Sequence, residues 1–225
     1  PSGTIVEKTT VIDPFSKMMN TFAGLPLPDE TLLQDILDTI AAAGEDNRIR
    51  MVVLSLGDLE YAGLNQLRVI GQSLDKFKES GKKVIAIDDY YSQGQYYLAS
   101  YADEVLLNHM GGVHLRGFGV FRLYLKELID KLAVNFHVFR VGTYKSAVEP
   151  LTRRSMSEEA RDANNVWLTD LWSVFCEDIA RNRDFAPDFI NTYINAMPLL
   201  LGQADGSNSR MALDANLVDN IKTGP

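Results

Sequence analysis

The sequence predicts an α/β fold built on a mainly parallel sheet. Strand-like and helix-like segments alternate along the chain at a spacing of about 30 residues, as successive βαβ units do. Two short apolar runs, MVVLSL at 51–56 and VIAID at 84–88, have the length and composition of buried parallel strands. Hydrophobic residues make up 46% of the 225 residues and charged residues 23%, so the chain has enough apolar material for a proper core.

The first half of the sequence supplies strands and two amphipathic helices. In chain order we predict a strand at 4–13, a loop at 14–28, a helix at 30–44, a buried strand at 51–56, a turn at 57–63, a helix at 64–81 and a strand at 84–88. The helix at 30–44 is predicted because its apolar residues recur at the helical period, namely Leu32, Leu33, Ile36, Leu37 and Ile40.

The second half continues this alternation and then becomes helical. The predicted elements are a short helix at 95–102, a strand at 104–108, a helix at 121–133 with its leucines inward, a strand at 135–142, a long helix at 158–183, a shorter helix from about Pro187 and a closing segment at 212–221. Ser157 is the expected N-cap of the long helix. We expect residues 1–225 to form a single domain, with residues 157–200 as a helical extension within it.

Composition argues against several function classes. The net charge of -8 and the dispersed basic residues disfavour nucleic acid as a partner. The single cysteine, Cys176, excludes an intrachain disulfide and lies in an apolar helical stretch, which favours a buried thiol. His109, His114 and His137 lack the spacing of metal ligands. Phosphate-binding glycine motifs are also missing from the sequence, so we expect no metal and no cofactor.

Candidate functional residues follow from the predicted strand ends. Ligands of parallel sheets bind beyond the carboxyl ends of strands, which here lie near Leu56, Asp88 and Gly142. The YYSQGQ loop at 90–95 and the GTYKSAVEP loop at 142–150 are therefore expected on the functional face.

Lys145 lies in the second of these loops, and its local sequence leaves two interpretations open. It is either a solvated lysine, paired with Glu149 four residues later, or a general base. The second role requires burial or a nearby cation to lower its pKa by several units.

Ser92 lies in the first loop, just after a strand and at the start of a helix. That position suits a nucleophile, because the helix N-terminus helps to stabilise an oxyanion. The G-x-S-x-G pattern is absent, since Tyr90 stands at its first glycine. Ser92 is equally well explained as a helix N-cap.

Three stretches are more specific together than any of them alone: YYSQGQYYLASYADEVLLN, HLRGFG and HVFRVGTYKSAVEPLTRRSMSEEAR. Together they resemble the amino-terminal half of the long Gram-negative members of the signal peptide peptidase A family, also called the protease IV family. The resemblance runs from about Gly3 to Val218 and is densest between Val84 and Arg161.

The resemblance implies a ClpP/crotonase-like fold of repeated ββα units with a helical carboxy-terminal extension. It implies a serine endopeptidase that is anchored in the inner membrane, faces the periplasm and degrades cleaved signal peptides. The implied partners are these peptides, the carboxy-terminal half of the same protein and further copies in a homo-oligomer, a tetramer in the full-length form. We expect the membrane anchor to lie outside this sequence.

The resemblance also assigns the site residues. In the family a lysine base from the amino-terminal half serves a serine from the carboxy-terminal half, and the G-T-Y-K-S motif places that base at Lys145. The A-S-G-G-Y motif of the nucleophile aligns Gln93 with the serine, which leaves Ser92 one residue early, about 100° around a helix. The glycine pair of the oxyanion site falls roughly at Gly63–Leu64. We therefore expect the nucleophile to lie outside this chain and the chain alone to be inactive.

Two other functions are compatible with the sequence. The chain could be a scaffold half that serves oligomer assembly and substrate channelling, although Lys145 argues against this. It could also be a crotonase-like acyl-CoA enzyme, but neither a paired acidic residue nor an adenine-binding loop is identifiable.

Overall fold

The computed structural model describes residues 1–11, 13–24, 28–134 and 147–222. The chain divides into two compact units. The first comprises residues 1–116 and 175–225, and the second comprises residues 117–174.

Seven strands are found in the described part of the chain, and all belong to the first unit. They are β1 (Gly3–Val6), β2 (Glu30–Leu32), β3 (Met51–Leu54), β4 (Leu59–Tyr61), β5 (Lys83–Asp88), β6 (Glu104–Leu107) and β7 (Asn220–Ile221). They form a three-stranded sheet in the order β2-β1-β4 and a four-stranded sheet in the order β3-β5-β6-β7. Every pairing between these strands is parallel, which confirms the predicted sheet type.

Nine helices are described. They are α1 (Pro14–Phe22), α2 (Leu33–Glu45), α3 (Leu64–Glu79), α4 (Gln93–Ala99), α5 (Lys126–Lys131), α6 (Glu149–Thr152), α7 (Glu158–Arg183), α8 (Phe189–Gln203) and α9 (Asn208–Asp214). Helices α5 and α6 belong to the second unit, while α7 begins in the second unit and ends in the first. The long helix predicted at 158–183 is thus confirmed, and Ser157 caps it, because its Oγ accepts the Ala160 N–H at 3.2 Å.

A strand, a shorter extended segment and a helix recur along the first unit. Strand β3 lies in the larger sheet, β4 follows in the smaller sheet, and α3 comes next. Strand β5 is followed by Tyr91 and then α4, while β6 is followed by Val113, and Tyr91 forms a parallel bridge with Val113. This is the α/β arrangement of stacked ββα units that the resemblance implied.

The core of the first unit joins the larger sheet to its helices. Leu74 of α3, Val84 and Ala86 of β5 and Val105 of β6 are fully buried. Ile179 of α7 is also fully buried, so the carboxy-terminal part of that helix contributes to the core. Parallel strands covered by helices need such continuous apolar residues, which is why the sequence predicts these strands correctly.

Several predicted elements were wrong in the first half of the chain. The helix predicted from residue 30 begins at Leu33, because Glu30–Leu32 pair with β1 as strand β2. The predicted strand at 4–13 ends at Val6, and the predicted loop at 14–28 contains α1. The predicted turn at 57–63 contains the three-residue strand β4.

Burial was also mispredicted in two places. Strand β3 is parallel as predicted but not buried, since Met51 and Val53 are 49% and 54% exposed. The helix predicted at 121–133 is shorter in the structure, where it covers Lys126–Lys131. Its predicted inward residues Leu123, Leu128 and Leu132 are exposed to solvent. The predicted strand at 135–142 lies outside the described residues.

Candidate active site

The carboxyl ends of β3 and β5 meet at the carboxylate of Asp88. Its Oδ2 accepts the Leu56 N–H at 2.6 Å, and its Oδ1 accepts the Asp89 N–H at 3.0 Å. A Cβ on Gly57 would lie 2.8 Å from Oδ1, so the chain after β3 packs tightly against this carboxylate. Two of the three predicted strand ends, near Leu56 and Asp88, are thus adjacent, while the third, near Gly142, lies outside the described residues.

Gln95, in the first turn of α4, ties this helix to the β3–β4 connection. Its Nε2 donates to the carbonyl oxygens of Leu56 and Leu59 at 2.9 and 3.0 Å. Its Oε1 accepts the Ser92 N–H at 2.7 Å, as in a capping box. Gln95 is buried, and its two bonds to the carbonyl oxygens are buried with it, while the bond to the Ser92 N–H is partly buried. They fix the start of α4 against the strand ends.

The segment before α4 is also held by hydrogen bonds to residues 108–114. The Tyr91 N–H donates to the Gly112 carbonyl at 3.0 Å, and the His114 N–H donates to the Tyr91 carbonyl at 2.9 Å. A Cβ on Gly111 would lie 1.9 Å from the carbonyl oxygen of Asp89, so only glycine fits there. This close approach explains why residue 111 is a glycine.

The phenol of Tyr91 completes this packing. It is fully buried and donates to the Leu106 carbonyl at 2.8 Å. Burial raises the pKa of Tyr91 well above its ordinary value, and the nearby Asp88 carboxylate and Tyr96 phenol raise it further. Tyr91 therefore stays neutral and is a structural anchor rather than an acid or base.

Ser92 and Gln93 are the two positions that the sequence analysis considered for a nucleophile. Ser92 is the N-cap of α4, half-buried, and its N–H is engaged by Gln95. In the described part of the chain no lysine or histidine hydrogen-bonds its hydroxyl. Gln93 begins the helix, and its Oε1 accepts the Arg116 N–H at 3.1 Å. This contact joins the YYSQGQ and HLRGFG stretches.

The start of α3, where the oxyanion donors were expected, is also capped by a glutamine. Gly63 is the N-cap, and its N–H donates to Oε1 of Gln66 at 2.8 Å. That N–H is therefore engaged within the chain and does not point freely to a ligand. The glutamines at the third position of α3 and α4 accept the N-cap amide of their helix in the same way.

Lys145 and most of the GTYKSAVEP loop lie outside the described residues. Glu149, expected to pair with Lys145 if that lysine were solvated, is buried and begins α6. Its carboxylate accepts the Ser157 N–H at 3.1 Å and also the Ser157 hydroxyl. Glu149 thus connects the end of this loop to the start of α7 within the second unit.

The single cysteine is a buried thiol, as the sequence predicts. Cys176 is buried, and this burial raises the pKa of its thiol to about 12, with smaller contributions from the Asp188 and Glu177 carboxylates. Among the described residues no group of histidine, cysteine, aspartate or glutamate side chains is arranged to hold a metal ion. Over the same residues no helix is long and apolar enough to cross a membrane.

Comparison with known proteins identifies the class to which this fold and site belong. The model of peptidase family S49 matches residues 76–224, so the chain belongs to that family. The match includes α4, the residues 108–114 that support it, and the GTYKSAVEP loop.

The similar curated proteins are proteases. The chain is 40% identical to Protease 4 of Salmonella typhi over 222 residues, covering 98% of this chain and 36% of that protein. It is 41% identical to Protease 4 of Haemophilus influenzae over 200 residues, 89% of this chain and 32% of that protein. The chloroplastic serine protease SPPA of Arabidopsis thaliana is 27% identical over 173 residues, 75% of this chain and 24% of that protein. The chain thus spans about a third of the length of the curated relatives it matches.

Solved structures of acyl-CoA enzymes are also similar to this chain. An enoyl-CoA hydratase/isomerase family protein from Silicibacter pomeroyi is 13% identical, with a TM-score of 0.29 over 81% of this chain and 84% of that one. A methylmalonyl-CoA decarboxylase is 14% identical, with a TM-score of 0.31 over 81% of this chain and 75% of that one. At these TM-scores and identities the structural similarity is low, and the fold class rests on the strand pairings described above.

Gln95 is the main site residue that sequence reasoning missed. The signal was present, because Ser92 and Gln95 form the S-x-x-Q pattern of a capping box. The pattern predicts the bond to the Ser92 N–H. It does not predict the two carbonyl contacts, since these depend on the tertiary position of the β3–β4 connection.

Proposed function

We propose that this chain is the amino-terminal half of a membrane-anchored serine peptidase that degrades cleaved signal peptides, and that Lys145 is its general base. Membership of peptidase family S49 and the similarity to two Protease 4 sequences support a peptidase. The Ser/Lys dyad, the substrate class, the tetrameric assembly and the periplasmic location are part of the proposal.

One observation supports the division of the dyad between two halves. The position that aligns with the family serine is Gln93, whose side chain is bonded to the Arg116 amide. Ser92 next to it is a helix N-cap whose amide is taken by Gln95. A serine nucleophile needs a base to take its proton and free amides to hold the oxyanion. In the described part of this chain no lysine or histidine hydrogen-bonds the Ser92 hydroxyl, and the Ser92 amide is already engaged by Gln95.

The proposed mechanism therefore places the serine in the carboxy-terminal half. Neutral Lys145 takes the hydroxyl proton of that serine as the oxygen attacks the peptide carbonyl. The resulting lysine ammonium then protonates the leaving amine, and water hydrolyses the acyl-enzyme with Lys145 again as base. A lysine in an apolar cleft suits this role because desolvation disfavours its charged form.

The test is peptide hydrolysis by the full-length protein with Lys145→Ala. Loss of the base should lower the rate with a fluorogenic signal-peptide substrate by at least about a thousandfold, within the range of general-base catalysis. Lys126→Ala is the matched control, because Lys126 forms an exposed pair with Asp130 one helical turn away. That control and Ser92→Ala should retain wild-type turnover.

The melting temperature of each variant separates loss of chemistry from loss of fold. A folded Lys145→Ala protein with wild-type turnover would refute the role of Lys145 as base. A Ser92→Ala protein that is folded but inactive would return the nucleophile to this chain. Peptide hydrolysis by the isolated chain would likewise show that the nucleophile lies within this chain.

A further inference from the structure

Helix α1 exposes the face that a surface helix normally buries. Phe15, Met18, Met19 and Phe22 recur at the spacing i, i+3, i+4 and i+7, which places them in one apolar stripe about 100° wide. In a globular protein such a stripe packs on the core. Here the four side chains are 68%, 48%, 49% and 82% exposed. The described part of the chain therefore leaves the apolar stripe of α1 in contact with solvent.

The remaining positions of α1 and the residues that follow it have a distinct charge pattern. By helical spacing, the positions opposite the stripe are polar, namely Ser16, Lys17, Asn20 and Thr21. Lys17 is the only charged residue from position 14 to position 28. The whole chain, in contrast, has 30 acidic residues and a net charge of -8. Residues 14–28 are thus a cationic segment, with an amphipathic helix, in an acidic chain.

Helix α1 lies on the connection between β1 and β2, and the two ends of this connection are fixed to each other. The Thr10 hydroxyl donates to Oε1 of Glu30 at 2.6 Å, and the Thr10 N–H donates to Oε2 at 2.7 Å. These two bonds hold the pKa of the Glu30 carboxyl below its ordinary value, so the carboxylate accepts both of them at neutral pH. The connection is therefore closed at its base on the smaller sheet.

The size and charge of this surface favour a lipid bilayer over a protein partner. Aromatic side chains bury about 150–250 Å² each and methionine is of similar size, so at the observed exposures the stripe offers roughly 500 Å². A stable protein–protein interface buries about 800 Å² on each partner. The stripe is also convex, whereas an apolar peptide binds in a groove.

A bilayer interface sets no such minimum area. It accepts an amphipathic helix that lies flat, with its apolar face about 5–10 Å into the boundary between headgroups and acyl chains. Bacterial and eukaryotic bilayers that carry anionic lipids repel acidic surfaces and attract cationic ones. The segment of an acidic chain that touches such a bilayer is therefore expected to lack acidic residues, as residues 14–28 do.

We propose that α1 is a membrane-contact helix, which lies in the interface of an anionic bilayer with its apolar stripe toward the acyl chains. The contact holds the smaller sheet near the bilayer surface through the connection that Thr10 and Glu30 close. This inference rests on the membrane anchoring that is part of the proposed function, and it does not depend on the peptidase mechanism.

Oxidative footprinting of the unsubstituted full-length protein tests the proposal without any mutation. The protein is reconstituted in vesicles of phosphatidylethanolamine with a minority of phosphatidylglycerol, and a short pulse of hydroxyl radicals oxidises the methionines that water reaches. Met110, which is 84% exposed in the same unit, is the internal control. Exposure alone predicts that Met18 and Met19 react about half as fast as Met110. Because the bilayer excludes water, we expect them to react at least about tenfold more slowly.

A fluorescent label on Met18→Cys then identifies what covers the stripe. Native cysteines, Cys176 among them, are replaced by alanine. Lipids brominated on their acyl chains should quench the label at position 18 by about twofold or more, because the stripe lies among those chains. The same label on Met110→Cys should remain unquenched.

Substitution of the stripe gives a matched comparison. Phe15→Ser/Phe22→Ser should abolish the quenching at position 18, because it removes the two aromatic side chains of the stripe. Phe121→Ser, whose ring is 95% exposed in the second unit, should leave the quenching unchanged.

The possible results separate this inference from the anchoring on which it rests. Oxidation of Met18 and Met19 at rates that follow their exposure, in protein that sediments with the vesicles, would overturn the inference alone. Slow oxidation without quenching by brominated lipids would also overturn it, and would show that protein, such as a second copy of the chain, covers the stripe. Protein that does not sediment with the vesicles would refute the proposed anchoring and this inference with it.

Discussion

Gln95→Met tests whether the buried glutamine holds the start of α4 in place. Methionine has nearly the same length and volume, so the substitution removes hydrogen bonds without leaving a large cavity. Gln66→Met is a matched control, because Gln66 has the same capping position on α3. Gln66 makes a single such bond, to the Gly63 N–H at 2.8 Å, and is only half-buried.

The expected difference follows from the number of bonds and their burial. Gln95 makes three bonds, and a typical intramolecular hydrogen bond contributes about 1 kcal/mol net to the free energy of unfolding. The Leu56 carbonyl keeps a partner, since it also accepts the Leu59 N–H at 2.9 Å. The Leu59 carbonyl and the Ser92 N–H lose theirs. We therefore expect Gln95→Met to cost about 3 kcal/mol and Gln66→Met about 1 kcal/mol.

Urea unfolding followed by circular dichroism measures both values. At an m-value of about 2 kcal/mol/M, Gln95→Met should lower the midpoint by about 1.5 M and Gln66→Met by about 0.5 M. Equal midpoints for the two variants would refute the inference that burial and the carbonyl contacts make Gln95 the stronger clamp. An altered m-value would show instead that the folded or unfolded ensemble had changed.

Two further predictions concern the core. Gly71→Ala should destabilise the protein by about 1–3 kcal/mol, because a Cβ would lie 2.4 Å from the buried Tyr101 ring. Gly44→Ala is the control, because a Cβ there would lie 3.8 Å from its nearest neighbour, the Phe77 ring. It should be neutral or stabilise the protein by up to about 1 kcal/mol. A similar drop in the urea midpoint of both variants would contradict the packing argument. Burial raises the pKa of the Cys176 thiol to about 12, so the folded protein should resist alkylation by iodoacetamide at pH 8 for hours. The protein unfolded in urea should react within minutes. Rapid labelling of the folded protein would show that the thiol is not buried.

The sequence predicts elements with a strong periodic signal and misses the short ones. Helices α3 and α7 and strands β5 and β6 lie close to their predicted positions. Strands β2 and β4 have three residues each, too few for a periodic pattern, and exist because β1 lies between them.

Helix α1 was missed for a different reason. Pro14 at its start and the glycine and prolines that follow it suggested a loop, although Phe15, Met18, Met19 and Phe22 recur at helical spacing. The helix at 121–133 was overpredicted because leucine spacing alone does not fix burial. Leu123 and Leu132 follow the pattern and are exposed.

The candidate site was predictable at the level of its loops but not its hydrogen bonds. Parallel topology is enough to bring Leu56 and Asp88 together, because carboxyl ends of neighbouring strands meet at one edge. The approach of Gly111 to Asp89 and the bonds of Gln95 depend on tertiary packing between segments far apart in sequence. Lys145 remains a prediction from motif resemblance, since it lies outside the described residues.

The two capping glutamines bear on the proposed division of the dyad between two halves, because each occupies a backbone amide at the start of a helix. An amide at a helix N-terminus can satisfy its own cap or hold an oxyanion, but it cannot do both at once. Here Gln66 takes the Gly63 amide and Gln95 takes the Ser92 amide, which stabilises the fold. Under the proposed division, a half that does not bind an oxyanion is free to adopt such caps, while a half that supplies the nucleophile must leave its amides open. Each cap stabilises the start of its helix and makes one backbone amide unavailable to an oxyanion.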